Sequence, residues 1–142
     1  MNQINIQALE PIKLPLVQKL YKKHYPSAKA KKDELIFIGY CHNELCSVVR
    51  FRTIDRWRLL TGMMVIPEFR QKGVAHEMMR YCKQKTLSDY DYCFAYSHLA
   101  DFYTQHGFSI IPNEKLPNPL QQLFERYSNS GKQLIPMKFD DF

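Results

Sequence analysis

The sequence predicts a mixed domain of the α/β or mixed α+β class, built on a central sheet with helices against it. Three observations lead there. Segments that alternate apolar and polar residues with a period of two are interleaved along the chain with segments of helical period. The 142 residues carry 45% hydrophobic and 24% charged content, which suits one hydrophobic core. No internal repeat or low-complexity tract breaks the alternation, so residues 1–142 read as a single domain.

Ile4 to Leu9 alternates as a first strand would, and Leu14, Val17, Leu20 and Tyr21 then recur at helical spacing, giving a helix that must stop before Pro26. Leu35 to Tyr40 is a compact apolar run. Asn43 and Glu44 supply a reversal into Leu45 to Thr53, so these segments predict a hairpin. After a second reversal at Ile54 and Asp55, Trp57 to Ile66 predicts a long strand whose end, Met63 to Ile66, is apolar on both faces and therefore central. Val74, Ala75, Met78, Met79 and Cys82 mark a helix to about Leu87. Tyr92 to Tyr96 predicts a short strand and Leu99 to His106 a short helix. Gly107 ends that helix before a strand at Phe108 to Ile111. Leu120, Leu123, Phe124 and Tyr127 form another helical stripe, and Leu134 to Met137 a closing strand that Pro136 assigns to a sheet edge.

No segment approaches the roughly 20 apolar residues that a membrane span needs. Met1 to Glu10 lacks the basic start and apolar run of a secretory leader, so the expectation is a soluble, cytoplasmic protein without a membrane partner. Cys41, Cys46, Cys82 and Cys93 are too sparse for a disulfide scaffold and read as reduced thiols. The net charge of +6 favours an anionic partner. Lys13, Lys19, Lys22, Lys23, Lys29, Lys31 and Lys32 all fall between Glu10 and Asp33 with no acid among them. No base-stacking or groove-reading motif accompanies them, so a solvated helix face followed by a lysine-rich loop is preferred over a nucleic-acid surface.

The segment from Val65 to His76 joins a buried strand to a helix. A helix start leaves several N–H groups without intrahelical acceptors, and its partial positive charge favours an anion such as a diphosphate. Gly73 and Ala75 are small enough to let phosphate oxygens approach the backbone, and Arg70 and Lys72 add positive charge. About thirty residues downstream, Asp101 to Phe108 forms a short helix, a glycine and a strand.

This pair of motifs resembles the GNAT-type N-acetyltransferase superfamily. Val65-x-Pro67-x-x-Arg70-x-x-Gly73-x-Ala75 matches the family's acetyl-coenzyme A signature, and Phe102-Tyr103-x-x-x-Gly107-Phe108 matches its second motif. The resemblance implies a mixed, mostly antiparallel sheet with a splayed central strand pair. It implies acetyl-CoA as co-substrate, with no metal. Backbone groups of Met63, Met64 and Val65 would pair with the pantetheine arm, and the N–H groups of Gln71, Lys72, Gly73, Val74, Ala75 and His76 would cradle the diphosphate. Gly62 is the candidate for a bulge that frees a backbone donor for the acetyl carbonyl. Tyr103 would be the catalytic general acid beside the leaving thiolate. The implied reaction is direct acetyl transfer to a primary amine, on a small molecule or peptide, and a homodimer is an assembly common in the superfamily.

The sequence departs from the family pattern in three places. Tyr96 stands where many members have a cofactor-contacting asparagine, Leu99 stands where a small alanine is usual, and Arg56 to Thr61 lacks the strand glutamate that serves as base. An alkyl amine with a pKa of about 10.4 needs a proton acceptor; Asp91, Glu114, His98 and a chain of waters are the candidates. Cys41, His42 and Cys46 lack the second ligand pair of a zinc site. Arg50, Arg52, Arg56 and Arg58 read equally as an anion-recognising patch on the acceptor side or as a solvated sheet face. Residues 112–132 are expected to hold specificity determinants. Two other functions remain open at this point: a CoA-binding module without transfer chemistry, and a basic nucleic-acid-binding protein.

Overall fold

The computed structural model describes residues 4–141, so the first three residues of the segment read for a leader lie outside the described residues. In chain order the elements are β1 (Ile4–Ala8), α1 (Leu14–His24), β2 (Leu35–Cys41), β3 (Glu44–Ile54), β4 (Trp57–Val65), α2 (Val74–Lys85), β5 (Asp91–Tyr96), α3 (Ala100–Thr104), β6 (Phe108–Ile110), α4 (Asn118–Asn129) and β7 (Leu134–Phe139). The strands form one seven-stranded sheet in the order β1-β2-β3-β4-β5-β7-β6. The β4–β5 ladder is parallel, whereas β1–β2, β2–β3, β5–β7 and β6–β7 are antiparallel. The mixed, mostly antiparallel sheet expected from the motifs is thus present. Among the described residues no helix is long and apolar enough to cross a membrane. The chain divides into two compact units, Met1–Arg52 with Thr61–Cys82, and Thr53–Leu60 with Lys83–Phe142.

In the first unit, β2 and β3 form the expected hairpin. Its turn lies one residue earlier than predicted, because His42 and Asn43 both take positive φ (52° and 65°). Two successive left-handed residues twist the turn to match the strands it joins. Helix α1 ends at His24, and Tyr25, the residue before Pro26, has left the helical region (φ −152°, ψ 68°), which proline disfavours for its predecessor. Val17 and Tyr21 of α1 are buried, together with Ile36, Phe37, Ile38, Val48, Val49 and Phe51 of the hairpin and Met78 and Met79 of α2. Phe37 meets Phe51 and Tyr81 edge to face, at 6.1 and 5.1 Å between ring centres.

In the second unit, β5 pairs with β7 from Tyr92↔Lys138 to Tyr96↔Leu134. The apolar stripe predicted for α4 is real: Leu120, Leu123 and Phe124 are buried in one cluster with Leu59, Tyr92 and Leu116, and Tyr127 packs on its margin. Strand β7 departs from expectation, since it lies between β5 and β6 rather than at an edge. The reason is local. The β6–β7 ladder ends at Ile110↔Met137, and the carbonyl of the next residue, Pro136, accepts the N–H of Ile111. The N and C=O of one strand residue face the same neighbour, so the donor that Pro136 lacks falls just past the end of the β6 ladder.

Candidate cofactor-binding site

Strand β4 ends in buried Met64 and Val65, and the N–H of the next residue, buried Ile66, donates to the Cys46 carbonyl at 2.9 Å. A single turn of 3-10 helix, Pro67–Phe69, follows, with Phe69 buried. Arg70 then folds back so that its Nε donates to the Val65 carbonyl at 2.8 Å. The motif arginine therefore ties the loop to the strand it leaves as well as supplying charge.

Past Arg70 the backbone alternates: Gln71 (φ 63°) and Gly73 (φ 80°) are left-handed, and Lys72 between them is not. Such alternation turns successive N–H groups toward one concavity, the geometry of an anion nest. The left-handed region costs an L-residue about 1–2 kcal/mol, so Gln71 is held there at a cost while Gly73 is not. The Gly73 carbonyl accepts the Glu77 N–H at 3.1 Å, which makes Gly73 the cap from which α2 begins. Val74 is buried and anchors the first turn, with Ala75 and His76 half-buried beside it. Glu77, the acid of that turn, pairs with Arg80 instead of opposing an incoming anion.

These residues pass a simple test of fit. A Cβ built on Gly73 meets no protein atom within 4 Å, so the space above the nest is open, and a side chain there would occupy the place an anion needs. Met63, Met64, Val65, Gln71, Lys72, Gly73, Val74, Ala75 and His76 all lie in the first unit. The predicted cofactor-contacting segments are thus the end of one strand, one loop and the first turn of one helix.

The parallel β4–β5 ladder runs through Arg58↔Asp91, Leu59↔Tyr92 and Leu60↔Cys93. Farther along β4, Gly62 has φ 66°, and its carbonyl accepts the Tyr21 hydroxyl at 2.7 Å. Tyr103, in the second unit, is buried on α3, with its ring edge to face with Phe102 and Phe108 at 5.1 and 5.9 Å.

Two sequence candidates change character. Asp91 is fully buried and accepts hydrogen bonds from Arg58 Nε and Nη2, both at 2.7 Å, and from the Ser88 N–H at 2.8 Å. A carboxylate so saturated is a structural anchor, and this removes Asp91 as the general base. Arg50, read as a patch residue, is buried and donates through Nη1 to both oxygens of Glu34, at 2.8 and 3.0 Å. Arg56 lies over the Trp57 and Tyr90 rings. Neither reading of the arginine cluster survives for Arg50 and Arg58, which serve buried ion pairs. Tyr21 was legible only as a core residue of a helical stripe, and Glu34, just past the Asp33 that closes the basic run, carried no signal of its own. The bond of Tyr21 to Gly62 of β4 and that of Glu34 to Arg50 of β3 have no local pattern to betray them.

Cys41 and Cys46 are both buried, and the Cys46 thiol donates to the Cys41 sulfur at 3.1 Å. Burial pushes the Cys46 thiol from 9.0 up to about 12. Among the described residues no group of three or more His, Cys, Asp or Glu could hold a metal ion.

The Acetyltransferase (GNAT) domain profile matches residues 32–110, more than half of the chain. No curated protein matches the sequence. Among solved structures, the fold is similar to N-acetylglutamate synthase from Neisseria gonorrhoeae complexed with coenzyme A and N-acetyl-glutamate. That match has a TM-score of 0.74 and 11% identity, over 98% of this chain but 36% of the other. The chain thus spans about a third of that relative's length. Escherichia coli ElaA is similar over 99% of this chain and 100% of its own, with TM-score 0.69 and 17% identity. Arabidopsis thaliana Naa50, in complex with the bisubstrate analogue CoA-Ac-MVNAL, has TM-score 0.68 and 12% identity over 98% of this chain and 99% of its own.

Proposed function

The chain belongs to the GNAT acetyltransferase family, and from that premise we propose that it is an acetyl-CoA-dependent N-acetyltransferase acting on a primary amine. One observation carries the reading: a nest of left-handed residues 71 and 73, open above Gly73, at the junction of a buried strand and a helix start. N–H groups of residues 71–76 would hold the diphosphate, and backbone groups of Met63 to Val65 the pantetheine arm. When bound, the thioester supplies an activated acetyl group. The chain's part is to orient it and to offer backbone hydrogen bonds to its carbonyl. Tyr103 carries the general-acid role implied by the Phe102-Tyr103-x-x-x-Gly107-Phe108 motif, giving its phenolic proton to the departing thiolate.

The Neisseria gonorrhoeae structure holds N-acetyl-glutamate beside coenzyme A, and the Arabidopsis thaliana structure holds an analogue that joins CoA through an acetyl group to a peptide. Each is an acetylated form of a primary-amine compound, an amino acid or a peptide, and that is the acceptor class proposed here. The test is a thermal-shift titration with CoA followed by acetyl-CoA turnover over a panel of amines. Ligand at 100 times its Kd stabilises a protein by about 2.7 kcal/mol, readily seen as a rise in Tm. A Tm rise with CoA and turnover with at least one amine are expected. Binding without turnover for any amine would favour a CoA-binding module, and no Tm rise would overturn the reading.

A further inference from the structure

We propose that Tyr21 is a positioning residue that aims the Met63 N–H, by fixing the plane of the Gly62–Met63 peptide. The proposal rests on the acetyltransferase reading above, since it assigns that N–H to the acetyl carbonyl.

The geometry begins with the peptide unit. Among the described residues every peptide bond is trans, and in a planar trans peptide the C=O of one residue and the N–H of the next point in opposite directions. The Tyr21 hydroxyl donates to the Gly62 carbonyl at 2.7 Å. Holding that oxygen therefore sets the direction of the Met63 N–H, which must point away from Tyr21. A strand residue with φ 66° has its flanking peptides turned out of the regular pleat, so their orientation needs a partner to define it.

Tyr21 is in turn held. Its ring is buried, and the Arg50 guanidinium carbon lies 5.4 Å from the ring centre. Arg50 is fixed by the two oxygens of Glu34, whose side chain is 4% exposed, and by the Lys29 carbonyl. Arg50 Nε is buried, and the guanidinium stands against the Gly62 turn beside the Tyr21 hydroxyl. A Cβ on Gly62 would meet Tyr21 Oη at 2.5 Å and Arg50 Nε at 2.7 Å. Position 62 must be glycine both for its φ and for this close approach. Tyr21, Glu34, Arg50, Gly62 and Met63 all belong to the first unit.

The test uses the full chain and Tyr21→Phe, which keeps the ring and removes the donor. Two readouts are compared: steady-state kinetics with acetyl-CoA over spermidine, L-glutamate and a peptide with a free N-terminus, and the Met63 amide resonance with CoA against a ketone analogue of acetyl-CoA. Wild type should show a Met63 shift that depends on the acyl carbonyl. Tyr21→Phe should lose most of that shift and about tenfold in kcat, with CoA affinity within twofold of wild type, as expected for a misaimed donor. Gly62→Ala should lower kcat as well, and the double variant should fall short of the product of the two single losses, because Tyr21→Phe removes the atom that Cβ would strike. An unchanged kcat in Tyr21→Phe overturns the proposal. So does a fall in kcat with the Met63 response intact, which would mark a structural role only. If wild type shows neither turnover nor a Met63 response, the acetyltransferase reading fails and this proposal falls with it.

Discussion

Gly73→Glu probes the nest at its open point. In the free protein the added Cβ meets nothing within 4 Å, so the substitution creates no clash, and its cost to folding is the left-handed φ of 80°. That strain amounts to about 1–2 kcal/mol for an L-residue. The effect on the ligand is separate and electrostatic. A glutamate carboxylate about 5 Å from a diphosphate charge is repelled by about 1–3 kcal/mol, for effective dielectrics between about 80 and 20. CoA affinity should therefore fall roughly 5- to 150-fold at low salt, and less at high salt as the Debye length shortens. Gly73→Asn tolerates the same backbone without charge and should lose less. Calorimetry with CoA, and with pantetheine that lacks the diphosphate, resolves the two contributions. CoA affinity within twofold of wild type in Gly73→Glu, or an equal loss for pantetheine, would refute the diphosphate assignment.

Tyr103→Phe keeps the buried ring and should lower kcat roughly 10- to 100-fold with unchanged CoA affinity, as loss of a general acid does; an unchanged rate removes Tyr103 from the mechanism. Asp91→Asn breaks the buried pair with Arg58 and should destabilise the fold by about 3 kcal/mol in a urea titration. Turnover per folded molecule should survive, and lost turnover at unchanged stability would restore Asp91 as a base. Burial raises the Cys46 thiol from 9.0 to about 12 and also raises Cys93 and Tyr21, so above pH 9 the folded chain binds more protons than the unfolded one. The stability these neutral groups confer is complete below pH 9 and is lost as pH climbs toward 12, with a slope of up to about 1.4 kcal/mol per pH unit for each group. Urea midpoints at pH 7, 9, 10 and 11 should be level and then fall; a flat series contradicts the assignment.

What could be read from residues alone was what local physics controls. Pro26 and Gly107 punctuate helices, and the run through Pro67, Arg70, Gly73 and Ala75 contains within a dozen positions both the strand end and the helix start that make the nest. The hairpin was displaced by one residue because His42 accepts a left-handed conformation that side-chain type does not advertise. Pro136 misled because its missing donor lies beside a ladder only three residues long, a matter of what its neighbour does. The polar braces were invisible for a different reason. Arg50 and Glu34 are 16 positions apart, Arg58 and Asp91 are 33 apart, and Tyr21 and Gly62 are 41 apart. No periodicity links such partners, and only the tertiary fold brings them together.

The most direct measurement is a crystal structure of the chain grown with CoA. The diphosphate is predicted to sit above Gly73, within hydrogen-bonding distance of main-chain N–H groups between residues 71 and 76, with the pantetheine arm along Met63 to Val65. A CoA molecule bound elsewhere, or those N–H groups already taken by protein acceptors with the loop unchanged, would contradict it.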